Sequence, residues 1–433
     1  MTFRKVHTTA ALMLLGVLLT LTAHPILAAE PCTHFAPERQ PFFGDLHIHT
    51  RYSFDSFLSN QKNDPDSAYR YAKGDAITLP DPFGDQTIKA RIDRPIDFAA
   101  ITDHGQFLGE VALCDSDWAT LAWWAPMCIM SRTKNLWVQL YAASQWTLSG
   151  GMDGVAPERS LICDLGDCTS AATAIWGDIQ GAAARHNDTS TDCAFSTFVG
   201  YEYTQGQEAA NLHRNVIFRN QHVTERPISV FDSNNQVPEL WRQLREQCLD
   251  KNNDCDVMAI PHNSNLGGGL MFPDPANREE AHNRRALEPL VELIQHKGAS
   301  ECRFDRLQGL GIDTEDELCD FEQIPADNLH MLGSVEGKMR SAKGEAVKLE
   351  SFHRRNMMRN VLKDGLALEQ ANGLNPFMPG FIGSTDTHTA TSGGAQERDY
   401  VGHLGSRDAG FRNVQDHFVS NLLNASIRIN SAM

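Results

Sequence analysis

The sequence predicts an α/β fold of the β/α-barrel type. Two observations carry that expectation. Apolar, strand-like runs alternate with helical stretches, and six of the runs end in a polar residue of metal-ligand type. Barrels of this type gather their chemistry at the C-terminal ends of their strands. A buried strand can end in a polar side chain simply because it reaches the surface. That accounts for one or two cases, and poorly for six with ligand-type side chains.

The first 29 residues read as an export signal. Arg4 and Lys5 form a charged start, Ala10 to Ala23 an apolar stretch, and Ala29 stands at the expected cleavage position. The apolar stretch is short for a membrane span. The expectation is a single domain over residues 30–433, periplasmic or secreted, with no stable membrane span after processing. The formal net charge is −17, from 38 basic and 55 acidic residues, and no basic patch stands out. This argues against a nucleic-acid-binding surface. It does not exclude an anionic substrate, because bound cations reverse the local field. All ten cysteines follow the signal, an even number that suggests disulfides in an exported chain. Cys163/Cys168, Cys248/Cys255 and Cys302/Cys319 are close enough for local bridges, and Cys32, Cys114, Cys128 and Cys193 remain for longer ones.

The first strand covers Phe42 to His49. Residues i and i+2 of a strand point to one face, so His47 and His49 can converge on one ion. With 17 histidines in 433 residues, composition alone yields ~0.7 His-x-His pairs, so the pair counts only with support from elsewhere. Residues 60–93 are polar, with Pro and Gly, and read as a long active-site loop. The second strand runs from Asp97 to His104. Residues 115–192 carry most of the tryptophans and read as an insertion pinned by disulfides. It forms either a cover over the site or a satellite core, with the satellite core favoured. Thr197 to Glu202, Val257 to His262, Leu290 to His296 and Gly380 to His388 are the remaining strands. Gln236 to Leu249 and Phe352 to Leu366 read as amphipathic helices, the second with a stop nearby at Gly373.

The order of these endings resembles a known superfamily. His47-x-His49 is followed by Ser53-x-Asp55, by Ile101-Thr102-Asp103-His104, by a lone His after a strand, and by Asp386-x-His388. This is similar to the motif order of the PHP (polymerase and histidinol phosphatase) superfamily. The stretches Phe43 to His49, Arg94 to His104, Gly109-Glu110, Asn211 to Asn215, Gln295 to Glu301 and Gly383 to His388 look closest to its DUF3604 group. The resemblance covers roughly residues 40–395. It implies a distorted (β/α)7 TIM-like barrel holding two or three divalent ions (Zn, Mn or Fe) at the strand ends. Carried over by motif, His47, His49, Glu202 and Asp386 would hold the first ion. Glu202 would bridge to a second, held by His262 and His296, and Asp55, His104 and His388 would hold a third. Imidazole and carboxylate donors suit these metals, and a bridging carboxylate offsets the repulsion between close cations.

Asp45 and Asp103 are expected to accept histidine N–H groups rather than to ligate. Glu292, four residues before His296 in the same strand, competes with it for the ligand role. Arg214, Lys297 and His213 are expected to bind phosphate oxygens or protonate a leaving alcohol. His403 lies beyond the last motif and is assigned no role. The leading functional expectation is phosphate-ester hydrolysis of a small molecule by a metal-bound hydroxide. The alternatives are an amidohydrolase-like enzyme acting on C–N or C–O bonds, and a non-catalytic periplasmic metal- or ligand-binding module. Amidohydrolase-type sites use a strand-end Lys as the bridge, a position taken here by Glu202.

Overall fold

Twelve strands punctuate the described chain: β1 (Gly44–Asp45), β2 (Ile77–Pro80), β3 (Thr87–Ala90), β4 (Phe98–Ile101), β5 (Ser196–Tyr203), β6 (Gly206–Gln207), β7 (Ala210–Asn211), β8 (Arg214–Phe218), β9 (Val257–Pro261), β10 (Leu290–Gln295), β11 (Gly298–Ala299) and β12 (Gly380–Gly383). The computed structural model describes residues 38–80, 87–133, 135–150, 156–207, 210–251, 254–302, 355–396 and 400–403, together with Cys32, Thr33 and Cys319. The expected export signal lies outside these residues.

The arrangement is mixed α/β and corrects the expected (β/α)7 barrel. One five-stranded sheet has the order β1-β4-β5-β8-β9, and a three-stranded sheet has the order β11-β10-β12. β1, β4 and β5 run parallel, whereas β8 is antiparallel to both β5 and β9. The barrel expectation assumed a helical crossover after every strand. Here the chain returns from β5 to β8 through the short β6–β7 hairpin, so the direction reverses and the regular β/α repeat is lost. The two sheets approach each other through single bridges, Ile48 to Thr387 and His262 to Glu292. The result is a curled half-barrel sheet beside a small one, with no closed barrel among the described residues.

Local chemistry explains other departures. Regular pairing of the first strand stops at Asp45. Its buried carboxylate accepts from the backbone N–H groups of His47, Thr385 and Gly393, which draws the chain out of the ladder. Residues 60–93 are not one long loop. Asp64 caps a helix at Pro65–Ala72 by accepting from Ser67 N, and β2 and β3 form a hairpin behind it. The Met358–Asn372 helix ends at Gly373, whose φ of 72° is the left-handed C-cap expected of glycine.

The main core lies between the outer face of the five-stranded sheet and its helices. It contains Ile48, Ile101, Val199, Tyr201, Phe218, Trp176, Ile179 and Trp241. Trp176 and Ile179 belong to the Cys168–His186 helix, which is the parallel crossover between β4 and β5. The rest of the Trp-rich region builds a satellite core around Phe107, Val111, Trp146 and Ile162. Trp118, Trp124 and Trp137 stay exposed. The satellite core reaches the site through Phe54, whose ring stacks on Trp146 at 5.9 Å and meets His104 at 5.0 Å. A smaller inner core of Leu46, Ala100, Ile217 and Ile260 fills the concave side of the sheet.

All ten cysteines pair, as Cys32–Cys193, Cys114–Cys128, Cys163–Cys168, Cys248–Cys255 and Cys302–Cys319. Five disulfides fit a chain that matures in an oxidising compartment. Among the described residues, no helix is long and apolar enough to cross a membrane.

Candidate metal centre

The ends of the core strands converge on one buried cluster. His47 and His49 follow β1, and His104 follows β4 at the start of a short 3-10 turn. Glu202 lies within β5, His213 precedes β8 and His262 follows β9. His296 and Lys297 occupy the turn between β10 and β11, and Asp386 and His388 follow β12. Two turn residues carry unusual backbone. Asn263, next to His262, has φ of 58°, and Asp386 itself has φ of 53°. Left-handed conformations at non-glycine residues are costly and concentrate at functional sites.

Glu202 stands at the centre, with its two oxygens serving different histidines. Oε2 lies 3.4 Å from His47 Nε2, 3.2 Å from His49 Nε2 and 3.2 Å from His104 Nδ1. Oε1 lies 2.5 Å from His213 Nδ1 and 3.3 Å from His262 Nε2. Asp386 is divided in the same way. Its Oδ1 faces His47 Nε2 at 3.2 Å and His49 Nε2 at 3.0 Å, while Oδ2 meets His296 Nε2 at 3.1 Å and the Lys297 ammonium. Asp55 Oδ2 joins His104 Nε2 at 2.9 Å to His388 Nε2 at 2.8 Å.

Ligand-type atoms gather within 4.8 Å of one another in several sets. These are His49 with Asp55, His104 and His388; His47 with His49 and Asp386; His47 with Glu202 and His262; and His296 with Asp386 and His388. Several of these groups could bind metal. The donors suit a borderline divalent cation, being imidazole and carboxylate only. A further set, Glu110 with Cys163 and Cys168, is accounted for by the disulfide between those cysteines.

The imidazoles are aimed from behind. His47 Nδ1 faces both Glu292 oxygens at 3.1 Å, and His49 Nδ1 meets Ser53 Oγ at 2.7 Å. His104 Nδ1 meets Thr204 Oγ1 at 2.5 Å, and His388 Nδ1 meets the Asp386 carbonyl at 2.8 Å. In His47, His49 and His388 this leaves Nε2 facing the cluster, the arrangement that orients histidine ligands, whereas His104 turns Nε2 to Asp55 and Nδ1 to Glu202 as well as to Thr204.

Charge in the cluster is strongly redistributed. Burial opposes ionisation of Glu202, yet His104 and His213 hold its pKa well below the usual carboxylate value. Burial also opposes ionisation of Asp386 and Asp55, and neighbouring histidines, with Lys297 at Asp386, again hold both well below. Burial would lower His49, but Asp386 and Glu202 raise it to about 9. His47 is raised well above its usual value against the same burial penalty, by Asp386 and Glu292. His262 and His296 are each pushed down to about 3, mainly by burial. Such carboxylates demand compensating positive charge, which divalent ions would supply.

The structure brings all nine predicted ligand positions together, along with His213 and Lys297. It does not bring Arg214 there. Successive strand residues face opposite ways, so His213 points to the cluster while Arg214 is buried outside it. Arg214 donates to Glu288 Oε1 at 2.5 Å and to the Leu212 carbonyl at 2.7 Å. His296 sits with Asp386 and His388 rather than with Glu202 and His262. Asp45 and Asp103 brace backbone and threonine hydroxyls instead of histidine rings. The ring-orienting part falls to Glu292 for His47. Sequence reasoning also passed over Gln295, whose amide donates to Asp386 Oδ2 and Asn263 Oδ1, both at 2.7 Å. Its place at the head of the Gln295 to Glu301 stretch, next to His296, was the signal for it. His403 lies 5.9 Å from the His296 ring.

The family comparison agrees with the motifs. Residues 36–432 match the family described as Protein of unknown function (DUF3604). No curated protein and no solved structure matches the chain. The chain therefore belongs to the DUF3604 family.

Proposed function

We propose that this protein is an exported, metal-dependent hydrolase whose substrates are phosphate esters of small molecules, related to the PHP superfamily by its motif order. The observation that carries the reading is Glu202, buried, with one oxygen turned to His47 and His49 and the other to His213 and His262. A carboxylate divided between two donor sets is what a multinuclear centre requires. His47, His49, Asp386, Glu202, His262, Asp55, His104, His296 and His388 would hold two or three divalent ions. When bound, these would supply Lewis acidity, polarising an ester oxygen and lowering the pKa of water.

The chain's own groups supply the rest. Side-chain exposure marks the opening: Asp55 at 31%, Lys297 at 28% and His213 at 17% are the accessible members of the cluster. Lys297 places a positive charge where an ester oxyanion would dock. His213 can exchange a proton with the leaving alcohol at the same rim. Lys297 is salt-bridged to Asp386, and the carboxylate divided between histidine sets is Glu202, which favours this reading over an amidohydrolase-type centre bridged by a lysine.

Metal analysis of the purified protein, followed by a hydrolysis screen with Mn, Zn or Fe restored, tests the reading. Aryl phosphate monoesters and diesters should release phosphate or alcohol, while amides and lactones should not react. His47→Ala and His388→Ala should lose metal and activity together. Unchanged metal content in both variants would sink the reading.

A further inference from the structure

Asn263 is the half-satisfied member of the Asn263-Ser264-Asn265 stretch that follows His262. Asn265 has partners at both ends of its amide. Its Nδ2 donates to the Lys297 carbonyl at 3.0 Å, and its Oδ1 accepts from Ser300 Oγ at 2.8 Å. Asn263 is 1% exposed and its Oδ1 accepts from Gln295 Nε2 at 2.7 Å, but its Nδ2 has no hydrogen-bond partner. A buried donor without an acceptor is costly and calls for an explanation. The backbone adds to the cost, with φ of 58° at this residue.

Hydrogen-bond polarity fixes which end of this amide is which. The Lys297 backbone N–H donates to Gln295 Oε1 at 2.5 Å, so Gln295 Nε2 is the donor end. Its two hydrogens go to Asn263 Oδ1 and Asp386 Oδ2, both at 2.7 Å. Asn263 therefore accepts with its oxygen and keeps its NH2 group unused. The same Asp386 oxygen meets His296 Nε2 at 3.1 Å and the Lys297 ammonium. One Gln295 nitrogen thus ties the Asn263 amide to the carboxylate that holds Lys297. Asn265 ties the same stretch to the Lys297 backbone. The unused donor is held beside the rim where Lys297 reaches solvent.

We propose that Asn263 is a substrate-binding residue, whose Nδ2 donates to a phosphoryl oxygen of the ester and of the phosphate product, beside Lys297. A neutral amide suits the place. A cation there would compete with divalent ions, and a carboxylate would repel the oxyanion. Asparagine also adopts the left-handed turn more readily than most residues. The side chain is shut off from solvent, as His47 and His49 are. A donor fixed in advance and shielded from water is worth most to developing negative charge. The inference names a binding group for the hydrolase reading and rests on that reading.

The test uses the full chain loaded with zinc, with inorganic phosphate as the probe and calorimetry as the readout. Asn263→Gly accepts the left-handed turn and removes the amide without adding charge. Asn263→Asp keeps the shape and the bond from Gln295 but has no donor. Phosphate affinity should fall about 10- to 100-fold in Asn263→Gly, the range for a hydrogen bond to a charged group, and at least as far in Asn263→Asp. Zinc affinity in Asn263→Gly should stay within about threefold of wild type, against a loss of about 10- to 100-fold if the residue oriented a ligand. In protein labelled with 15N-asparagine, the Asn263 side-chain amide signals, assigned by their loss in Asn263→Gly, should shift when phosphate is added. Wild-type phosphate affinity in Asn263→Gly overturns the proposal, as do amide signals that stay in place. A parallel loss of zinc overturns it by marking a structural role, and so does a zinc-loaded wild type that binds no phosphate. If Asn263→Gly does not fold, Asn263→Asp supplies both the assignment and the affinity. Because phosphate binding is read without turnover, a chain that shows the shift and the loss but hydrolyses no ester defeats only the functional reading.

Discussion

Glu292 and Arg214 show how far a single residue's role depends on its surroundings. Glu292 is buried in β10, and both its oxygens lie 3.1 Å from His47 Nδ1. Its type and position equally suited a metal ligand, and only the direction of the His47 ring separates the two roles. Glu292→Gln retains the shape but removes the charge that supports the ring. Metal affinity should fall by about 10- to 100-fold, as for other partners of ligating histidines. Equilibrium dialysis with zinc checks this, and a change below about twofold would place Glu292 outside the site's support. Arg214 carries the opposite lesson. Its type suited phosphate binding, but strand alternation turned it toward Glu288.

At the scale of elements, strand ends deliver the ligands and helix contacts fix the strands. The Leu108–Cys114 helix, which directly follows the His104 turn, crosses the Cys168–His186 helix at Gly109. A Cβ at Gly109 would come within 2.1 Å of the Cys168 carbonyl oxygen, a backbone atom that cannot move aside cheaply. Gly109→Ala should therefore destabilise the fold by about 1–3 kcal/mol. It should also loosen metal binding through His104. A lowered urea midpoint supports this, and a wild-type midpoint would show that the helices can separate without cost. The Gly109-Glu110 motif thus has a packing reason that is independent of chemistry.

Across the whole molecule, the clustered charges link folding, protons and metal. In the metal-free protein His49 is raised to about 9 and His47 is also raised well above its usual value, so their contribution is fully present below the unfolded value of about 6.5. It is lost as pH rises through about 9. His262 and His296, depressed to about 3, contribute above about 6.5, and that contribution is lost as pH falls. Stability of the chelator-treated protein should therefore peak near pH 6.5 and decline on both sides, as read from urea midpoints at several pH values. A flat profile between about pH 6.5 and 9 would refute the raised histidines. Metal uptake must displace the His49 proton, so affinity should rise about tenfold per pH unit up to about pH 9 for each proton released. Calorimetry in buffers of different ionisation enthalpy counts those protons.

Much of the site was legible because ligand chemistry restricts residue type and strand geometry restricts spacing. His47-x-His49, Asp103-His104, His262 and Asp386-x-His388 announced themselves as polar endings to apolar runs, and pairing among the cysteines followed from an even count behind an expected export signal. The sequence by itself determined the donor set, the acidic balance and the approximate strands. Tertiary structure alone decided the rest. The reversal of β8 replaced the expected closed barrel with a curled half-barrel sheet, because strand direction depends on long-range pairing that no local pattern encodes. The division of Glu202 between two histidine sets, the transfer of His296 to the Asp386 side and the supporting position of Glu292 depend on side-chain direction. Residues distant in sequence fix that direction when they meet in the fold.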